Sequence, residues 1–231
     1  MNDDDIDEAL KRAASDAREV DPALLERVSR SIGASLQPVR PLPSSGLLAA
    51  ALAATCAGVA VAGGLLLGPH GILAMSAADI GGIFPLLGVL IWFTAVTSVG
   101  EMIPGRLRRL APTWLLAAAC AGLIAVFALL FREYRVERFV HQGIVCLTAG
   151  LAVAIPMACL GCLVLRRGFA VDSVAAGLAQ GTLAGLAGVA MLELHCPNFE
   201  APHVMVWHTA VLAVSGAAGA LLVRATRSKE T

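Results

Sequence analysis

Thiol and imidazole side chains are concentrated near the C-terminal end of the sequence. Residues 194–203 read Leu-His-Cys-Pro-Asn-Phe-Glu-Ala-Pro-His, and Trp207 and His208 follow shortly afterwards. Thiolate sulfur and imidazole nitrogen bind soft metal ions, and two thiols form a disulfide in an oxidising compartment. The segment therefore indicates metal binding, or a disulfide between Cys196 and a cysteine elsewhere in the chain. The alternative is that the histidines and Trp207 anchor the chain at a membrane surface and that the cysteines are inert.

The chain that carries these residues is too apolar for a soluble domain. Of its 231 residues, 58% are hydrophobic and 15% are charged, whereas about a quarter of the residues in soluble proteins are charged. Crossing the hydrocarbon core takes about 20 apolar residues in a helix. Six windows meet this test: 46–68, 79–100, 112–131, 143–165, 171–194 and 204–224. We therefore predict an all-α, polytopic membrane protein, a bundle of six transmembrane helices.

The N-terminal region differs in composition from this membrane domain. Nine of the seventeen acidic residues precede residue 30, in two short amphipathic helical patterns. Asp21 and Pro22 suit the cap and the first position of the second helix. Prolines then interrupt the chain before the first span. The predicted domains are a cytoplasmic helical arm, a Pro/Ser linker, the membrane domain and a cytoplasmic tail, with boundaries 1–37, 38–45, 46–224 and 225–231.

Basic residues in short loops predict the orientation, because such loops stay on the cytoplasmic side. The loops after the second and fourth spans and the tail hold Arg106, Arg108, Arg109, Arg166, Arg167, Arg224, Arg227 and Lys229. The loops after the first and fifth spans hold no lysine or arginine. Both termini are therefore predicted to be cytoplasmic, although Arg132, Arg135 and Arg138 after the third span depart from the pattern.

This orientation brings a second cysteine to the outer side. Cys146 lies one turn into the fourth span, with His141 at the membrane surface before it. We expect Cys146 and Cys196 to be near neighbours. Cys146, Cys196, His195 and His203 are the candidate ligands of a metal ion.

The remaining cysteines give weaker signals. Cys159 and Cys162 have the spacing of a redox pair or of half a zinc site. Both lie in an apolar helix near the predicted cytoplasmic face, with no further cysteine pair or histidine on that side to complete four ligands. We interpret them, with Cys56 and Cys120, as small packing residues.

The predicted membrane core carries few polar groups. Gly177, Gly181 and Gly185 recur every fourth residue, a packing signal between membrane helices. Gln180 marks a substrate path in the alternative interpretation of a small transporter or channel. Transporters usually carry several ionisable groups deep in the membrane. Here the ionisable residues fall near predicted span ends, where their side chains can reach water; they are Asp79, Glu101, Asp172, Glu193 and the arginines. A third interpretation is a membrane thiol oxidoreductase, which would need a reactive Cys-x-x-Cys at the outer face. In this sequence Cys159 and Cys162 lie near the predicted cytoplasmic face instead. No catalytic residue is predicted.

Several short motifs resemble one known family across almost the whole chain. They are Leu-Gln-Pro-Val-Arg-Pro-Leu at residues 36–42, Cys146, the glycine-rich fifth span, and His195-Cys196-Pro197 followed by Trp207-His208. With these motifs the chain resembles the NrsF family, negative regulators of the extracytoplasmic-function sigma factor sigma F. The resemblance implies a six-span anti-sigma factor of the bacterial inner membrane. It also implies that Cys146 and Cys196 are a periplasmic pair that senses heavy-metal or oxidative stress.

The resemblance further implies that the cytoplasmic arm holds the sigma factor. Sigma factors of this type bind DNA phosphates through basic surfaces, and an acidic amphipathic arm offers complementary charge and an apolar stripe for a groove. The stripe on the second helix consists of Leu24, Leu25, Val28 and Ile32. No direct nucleic-acid binding is expected, and no cofactor beyond a transient soft metal ion at the cysteines.

Overall fold

The computed structural model describes residues 3–15, 21–35, 43–103, 110–136, 138–165 and 172–227. The chain divides into two units, Met1–Leu42 and Pro43–Thr231. Throughout the described ranges the structure is helical, apart from turns and one isolated β-bridge. The predicted all-α class is confirmed.

The first unit contains two helices, α1 (Asp3–Ser15) and α2 (Pro22–Ser35). The Ala23 backbone amide donates to Asp21 Oδ1 over 2.9 Å, which satisfies one of the free amides at the start of α2. The predicted helix pair and cap are therefore present. Residues 36–42, which include most of the predicted linker 38–45, lie outside the described residues.

Among the described residues of the second unit, six segments are long and apolar enough to cross a membrane. In order the elements are α3 (Ser45–Leu67), the short α4 (His70–Ala74), α5 (Ala77–Gly100), α6 (Pro112–Leu130), α7 (Phe139–Leu165), α8 (Ser173–His195), α9 (Ala201–His203) and α10 (Thr209–Arg227). One π-helical turn, Val204–His208, joins α9 to α10, and together they form the sixth span. Pro85 and Pro156 lie inside α5 and α7.

Two spans begin three or four residues earlier than the hydropathy windows predicted. The fourth begins at Phe139 and the sixth at Ala201. Helical hydrogen bonding continues through polar residues such as His141 and Gln142, which an apolar window excludes. The basic residues of loops 104–109 and 166–171, and Lys229, lie outside the described residues.

The fifth span, α8, is the centre of the bundle. It contacts α3, α5, α6, α7 and α10. A Cβ atom at Gly177, Gly181 or Gly185 would lie 2.5, 2.3 or 2.8 Å from the backbone of α10. One at Gly188 would lie 2.4 Å from the carbonyl oxygen of Gly150 on α7. Only glycine permits these approaches, so the predicted packing role of the stripe is confirmed.

Gln180 also joins helices. Its side chain is buried, and its amide Nε2 donates to the Met157 carbonyl oxygen of α7 over 3.4 Å. This contact gives Gln180 a structural role between α8 and α7.

The cysteines predicted to be packing residues divide into two groups. Cys56 is fully buried, and its thiol donates to the Leu183 carbonyl oxygen of α8 over 3.5 Å; Cys120 is half-buried. Cys159 and Cys162 are exposed, so the packing prediction is wrong for them. The inward residues of α7, such as Met157, lie elsewhere around the helix.

Candidate functional site

Loops distant in sequence meet at one end of the six-helix bundle. Asn198 donates from its side-chain amide to Gln142 Oε1 over 2.8 Å, which ties the loop after α8 to the start of α7. The Ala201 backbone amide donates to the Glu133 carbonyl oxygen over 2.8 Å, which ties the same loop to the end of α6. These bonds hold the segment that contains Cys196 against its neighbours.

The two cysteines singled out from the sequence are in contact at this end. Cys146 lies two turns into α7, and Cys196 caps the C-terminal end of α8. Their Sγ atoms are 3.6 Å apart, although the residues are 50 positions apart in sequence. Cys196 is buried and Cys146 is half-buried. Their predicted proximity is confirmed, whereas a sensing role remains a prediction.

Two histidines of the sixth span complete the cluster. His203 is fully buried, and its Nε2 atom lies 3.7 Å from Cys196 Sγ. His208 is also buried, and the two imidazole rings lie 5.5 Å apart in an edge-to-face arrangement. One potential ligand atom from each of Cys146, Cys196, His203 and His208 lies within 4.8 Å of every other. We call these four residues the thiol–imidazole cluster.

Glu193 forms an internal pair with His208 and does not reach water at the end of its span. Its Oε1 atom accepts a hydrogen bond from His208 Nδ1 over 2.6 Å, and both side chains are at most 2% exposed. The prediction that this carboxylate reaches water is wrong, because the next span folds back over it and supplies a partner. Buried acids are retained where they are paired in this way.

His195 is the one predicted ligand that lies away from the cluster. Its Nδ1 atom is 2.8 Å from the Gly68 carbonyl oxygen at the end of α3, and its ring packs near His70. His195 therefore ties the first loop to the fifth span. Of the four candidate ligands predicted from sequence, the structure brings together Cys146, Cys196 and His203, and His208 is the member that the sequence did not identify.

A cavity of about 390 Å³ reaches the cluster. Cys146, Cys196 and His203 line its inner part, and the exposed residues Arg138 and His141 line it nearer the surface. The hydrogen bond with Cys146, together with burial, raises the pKa of the Cys196 thiol above its usual value. A raised pKa favours the protonated thiol, and a metal ion that binds the sulfur displaces this proton.

The donor set of the cluster suits either of two chemistries. Two thiol sulfurs and two imidazole nitrogens are the ligands of tetrahedral zinc sites, and they bind other soft divalent ions. Two thiols in contact also form a disulfide when an oxidant removes two electrons and two protons.

The predicted partner-binding residues lie in the other unit of the chain. Leu24, Leu25, Val28 and Ile32 are 45%, 54%, 47% and 54% exposed along α2. Glu26 and Arg30 form an ion pair one turn apart on the same helix. The apolar stripe is therefore presented on the surface of α2.

Comparison with known proteins assigns the chain to a family. No curated protein and no solved structure matches the chain. A family model described as NrsF, negative regulator of sigma F, matches residues 33–226, a range that contains the thiol–imidazole cluster and all six spans. This match covers most of the sequence, and the chain belongs to the NrsF family of negative regulators of sigma F.

Proposed function

We propose that this protein is an anti-sigma factor of the bacterial inner membrane that holds an extracytoplasmic-function sigma factor through its N-terminal arm. In this proposal Cys146 and Cys196 face the periplasm, and a metal ion or an oxidant at that pair releases the sigma factor. The observation that carries the proposal is the thiol contact of 3.6 Å between residues that lie on different spans. The family's role in negative regulation supplies the sigma factor as partner.

The arrangement of the spans supports this sidedness. The contact between His195 and Gly68 brings the C-terminal ends of α8 and α3 together. Ser45, where α3 begins, therefore lies at the end of the bundle opposite Cys196. The loops after the first and fifth spans hold no lysine or arginine, whereas the loops after the second and fourth spans hold five arginines; the loop after the third span, with Arg132, Arg135 and Arg138, departs from this pattern. By the positive-inside rule, this distribution supports the proposal that both termini are cytoplasmic and the cysteine pair is periplasmic.

The surface of α2 supports the assignment of the arm as the holding site. Leu24, Leu25 and Val28 expose about half of their surface in a region that is otherwise acidic and polar. An apolar stripe of this kind docks in a groove of a partner protein. Because α2 itself carries two arginines and one glutamate, the charge that complements a basic partner is the excess of acids over the whole arm. A sigma factor, which binds DNA phosphates through basic surfaces, has this chemistry.

Release requires that the signal distinguish two states of the protein. A ligand or a covalent bond at Cys146 and Cys196 ties α7 to the loop between α8 and α9. It shifts the balance between holding and releasing only by its preference for one state, at about 1.4 kcal/mol per tenfold change. The releasing state must therefore bring the two sulfurs closer than the holding state does.

Replacement of single cysteines tests the sensing role. Cys146→Ser and Cys196→Ser are each expected to abolish most of the rise in sigma-dependent transcription that cadmium or diamide causes, because a disulfide needs both thiols and a metal ion at the pair loses one of its sulfur ligands. Cys159→Ser and Cys162→Ser are the matched controls, because they make the same substitution on α7 at exposed positions away from the pair. Both are expected to respond as the wild type does. Equal behaviour of the two sets would show that the pair is not the sensor.

A further inference from the structure

We infer that His203 and His208 complete, with Cys146 and Cys196, a four-coordinate site for a divalent d¹⁰ cation such as zinc or cadmium, and that Glu193 positions His208 for it. The inference deepens the proposed sensing role and rests on it for its biological meaning. The coordination chemistry itself depends only on the cluster. It assigns roles to His208 and Glu193, neither of which is among the candidate residues identified from sequence.

The spacing of the donor atoms matches a tetrahedral site. With zinc bonds of about 2.3 Å to sulfur and 2.0 Å to nitrogen, the ligand atoms of a tetrahedron lie roughly 3.3 to 3.8 Å apart. The two sulfurs are 3.6 Å apart, and Cys196 Sγ is 3.7 Å from His203 Nε2. All four donors lie within 4.8 Å of one another, so each remaining distance between donor atoms needs to shorten by at most about 1.5 Å to reach a tetrahedral arrangement.

Hydrogen bonding decides which nitrogen His208 offers to the cation. Its Nδ1 atom is bonded to Glu193, which leaves Nε2 as the free ligand atom. Across the described ranges, His208 Nε2 is a buried polar atom without a hydrogen-bond partner. Metal-bound histidines almost always donate their other ring N–H to a carboxylate or carbonyl, which fixes the ring and makes the ligand atom more basic. Glu193 supplies that carboxylate.

The π-helical turn explains how two histidines five residues apart meet at one point. In an α-helix, residues five positions apart lie about 140° apart around the axis, on different faces. The wider turn Val204–His208, with i to i+5 hydrogen bonding, brings His208 round towards the side that His203 occupies. Single π-turns inside α-helices occur frequently at functional sites. Here the turn places both imidazoles beside Cys196.

Charge balance and access also favour a divalent cation. The two thiolates cancel the double positive charge of the ion, and the two imidazoles are neutral. The ion and its four ligands therefore carry no net charge together. The ion reaches the cluster through the cavity of about 390 Å³ beside Cys146. Because both thiols must lose their protons, binding releases protons to solvent.

Metal binding by the purified full-length protein in detergent tests the inference. Calorimetric titration with cadmium chloride is expected to give one ion per chain. Glu193→Gln is expected to weaken affinity about 10- to 100-fold, as removal of an orienting carboxylate does, and His208→Ala is expected to weaken it further. His195→Ala is the matched control, a neighbouring histidine bonded to Gly68, and is expected to bind like the wild type. Wild-type affinity in both His208→Ala and Glu193→Gln would overturn the inference.

A second measurement avoids variants that fail to fold. X-ray absorption of the zinc-loaded wild-type protein is expected to show two sulfur and two imidazole nitrogen neighbours. A spectrum with sulfur and oxygen neighbours but no imidazole would overturn the inference.

The outcomes separate this inference from the proposed function. If the protein binds no cation while the cysteine variants still abolish induction, the sensing pair stands and the four-coordinate site falls. If the site binds with two sulfurs and two imidazoles while the cysteine variants induce normally, the site stands and the sensing role falls.

Discussion

Cys146 and Cys196 owe their chemistry to position more than to residue type. Four other cysteines are present in the chain, and none of them lies in a cluster of metal-ligand groups within the described residues. The pair lies beside a cavity that ends at exposed residues, and its sulfurs are 3.6 Å apart. An approach to about 2.05 Å is needed for a disulfide. A small inward movement of α7 or of the adjoining loop is enough to provide it.

This contact predicts selective cross-linking within the chain. Diamide is expected to join Cys146 to Cys196, with the two electrons and two protons of the thiols passing to the azo bond of the reagent. After denaturation, the number of maleimide groups that the protein accepts then falls from six to four. In Cys196→Ser, diamide is expected to leave the count unchanged. An unchanged count in the wild type would contradict the observed contact. Pre-loading with cadmium is expected to slow the reaction, because bound thiolates are less available.

At this scale the sequence predicts part of the cluster. Thiols and imidazoles at predicted span ends were sufficient to identify Cys146, Cys196 and His203. His208 was not identified as a ligand, because α-helical periodicity turns it away from His203, and a π-turn has no clear sequence signal. Glu193 was not identified, because hydropathy places an acid near a span end in water and does not show which residue will cover it.

At the scale of the elements, hydropathy predicts the spans because hydrocarbon offers the backbone no hydrogen-bond partners. A chain segment in hydrocarbon must satisfy its own amides and carbonyls, so an apolar window of sufficient length is a helix. The glycine stripe likewise predicts close packing, and α8 uses it against α10. Hydropathy carries no information about which helix is central. That position depends on the contacts of α8 with the helices of the five other spans.

The amphipathic helix α2 leads to a prediction about the partner. Leu25→Asp is expected to place a charge inside the proposed interface, which costs several kcal/mol and weakens sigma-factor binding about a hundredfold or more. Ala23→Asp is the matched control, because it adds the same charge about 160° away around the same helix. Co-purification of the sigma factor with the membrane protein, and repression of a sigma-dependent reporter, measure the difference.

Two results would exclude α2 as the holding surface. In the first, Leu25→Asp inserts in the membrane and represses fully. In the second, both variants lose binding equally, which would indicate a response to charge in place of a specific apolar contact.

At the scale of the whole molecule, α7 is the element through which the cluster can act at a distance. It carries Cys146 at one end and runs through the bundle, packed on α8 where Gly150 meets Gly188 and where Gln180 bonds to the Met157 carbonyl. To move a population from 1:99 to 99:1, a signal must favour the released state by about 5.5 kcal/mol. Coordination of a soft cation by four ligands is strong enough to supply such a difference, since structural zinc sites bind with about 10–16 kcal/mol.

The proposed function also fixes the position of the arginine-rich loop after α6. Arg132 and Arg135 favour the cytoplasm by the positive-inside rule, but the bond from the Ala201 amide to the Glu133 carbonyl holds this loop beside the segment that contains Cys196. Contacts in the folded bundle outweigh a rule that is statistical, so the loop is expected to be periplasmic.

Single cysteines introduced in a cysteine-free variant test this with a membrane-impermeant maleimide on intact cells. Ser76→Cys and Arg135→Cys are expected to react, and Arg109→Cys and Arg167→Cys to react only after lysis. If Ser76→Cys is labelled on intact cells and Arg135→Cys is not, the loops after the first and third spans lie on opposite sides of the membrane. Six spans with both ends cytoplasmic would then be impossible, and the cysteine pair could not be periplasmic in the way proposed.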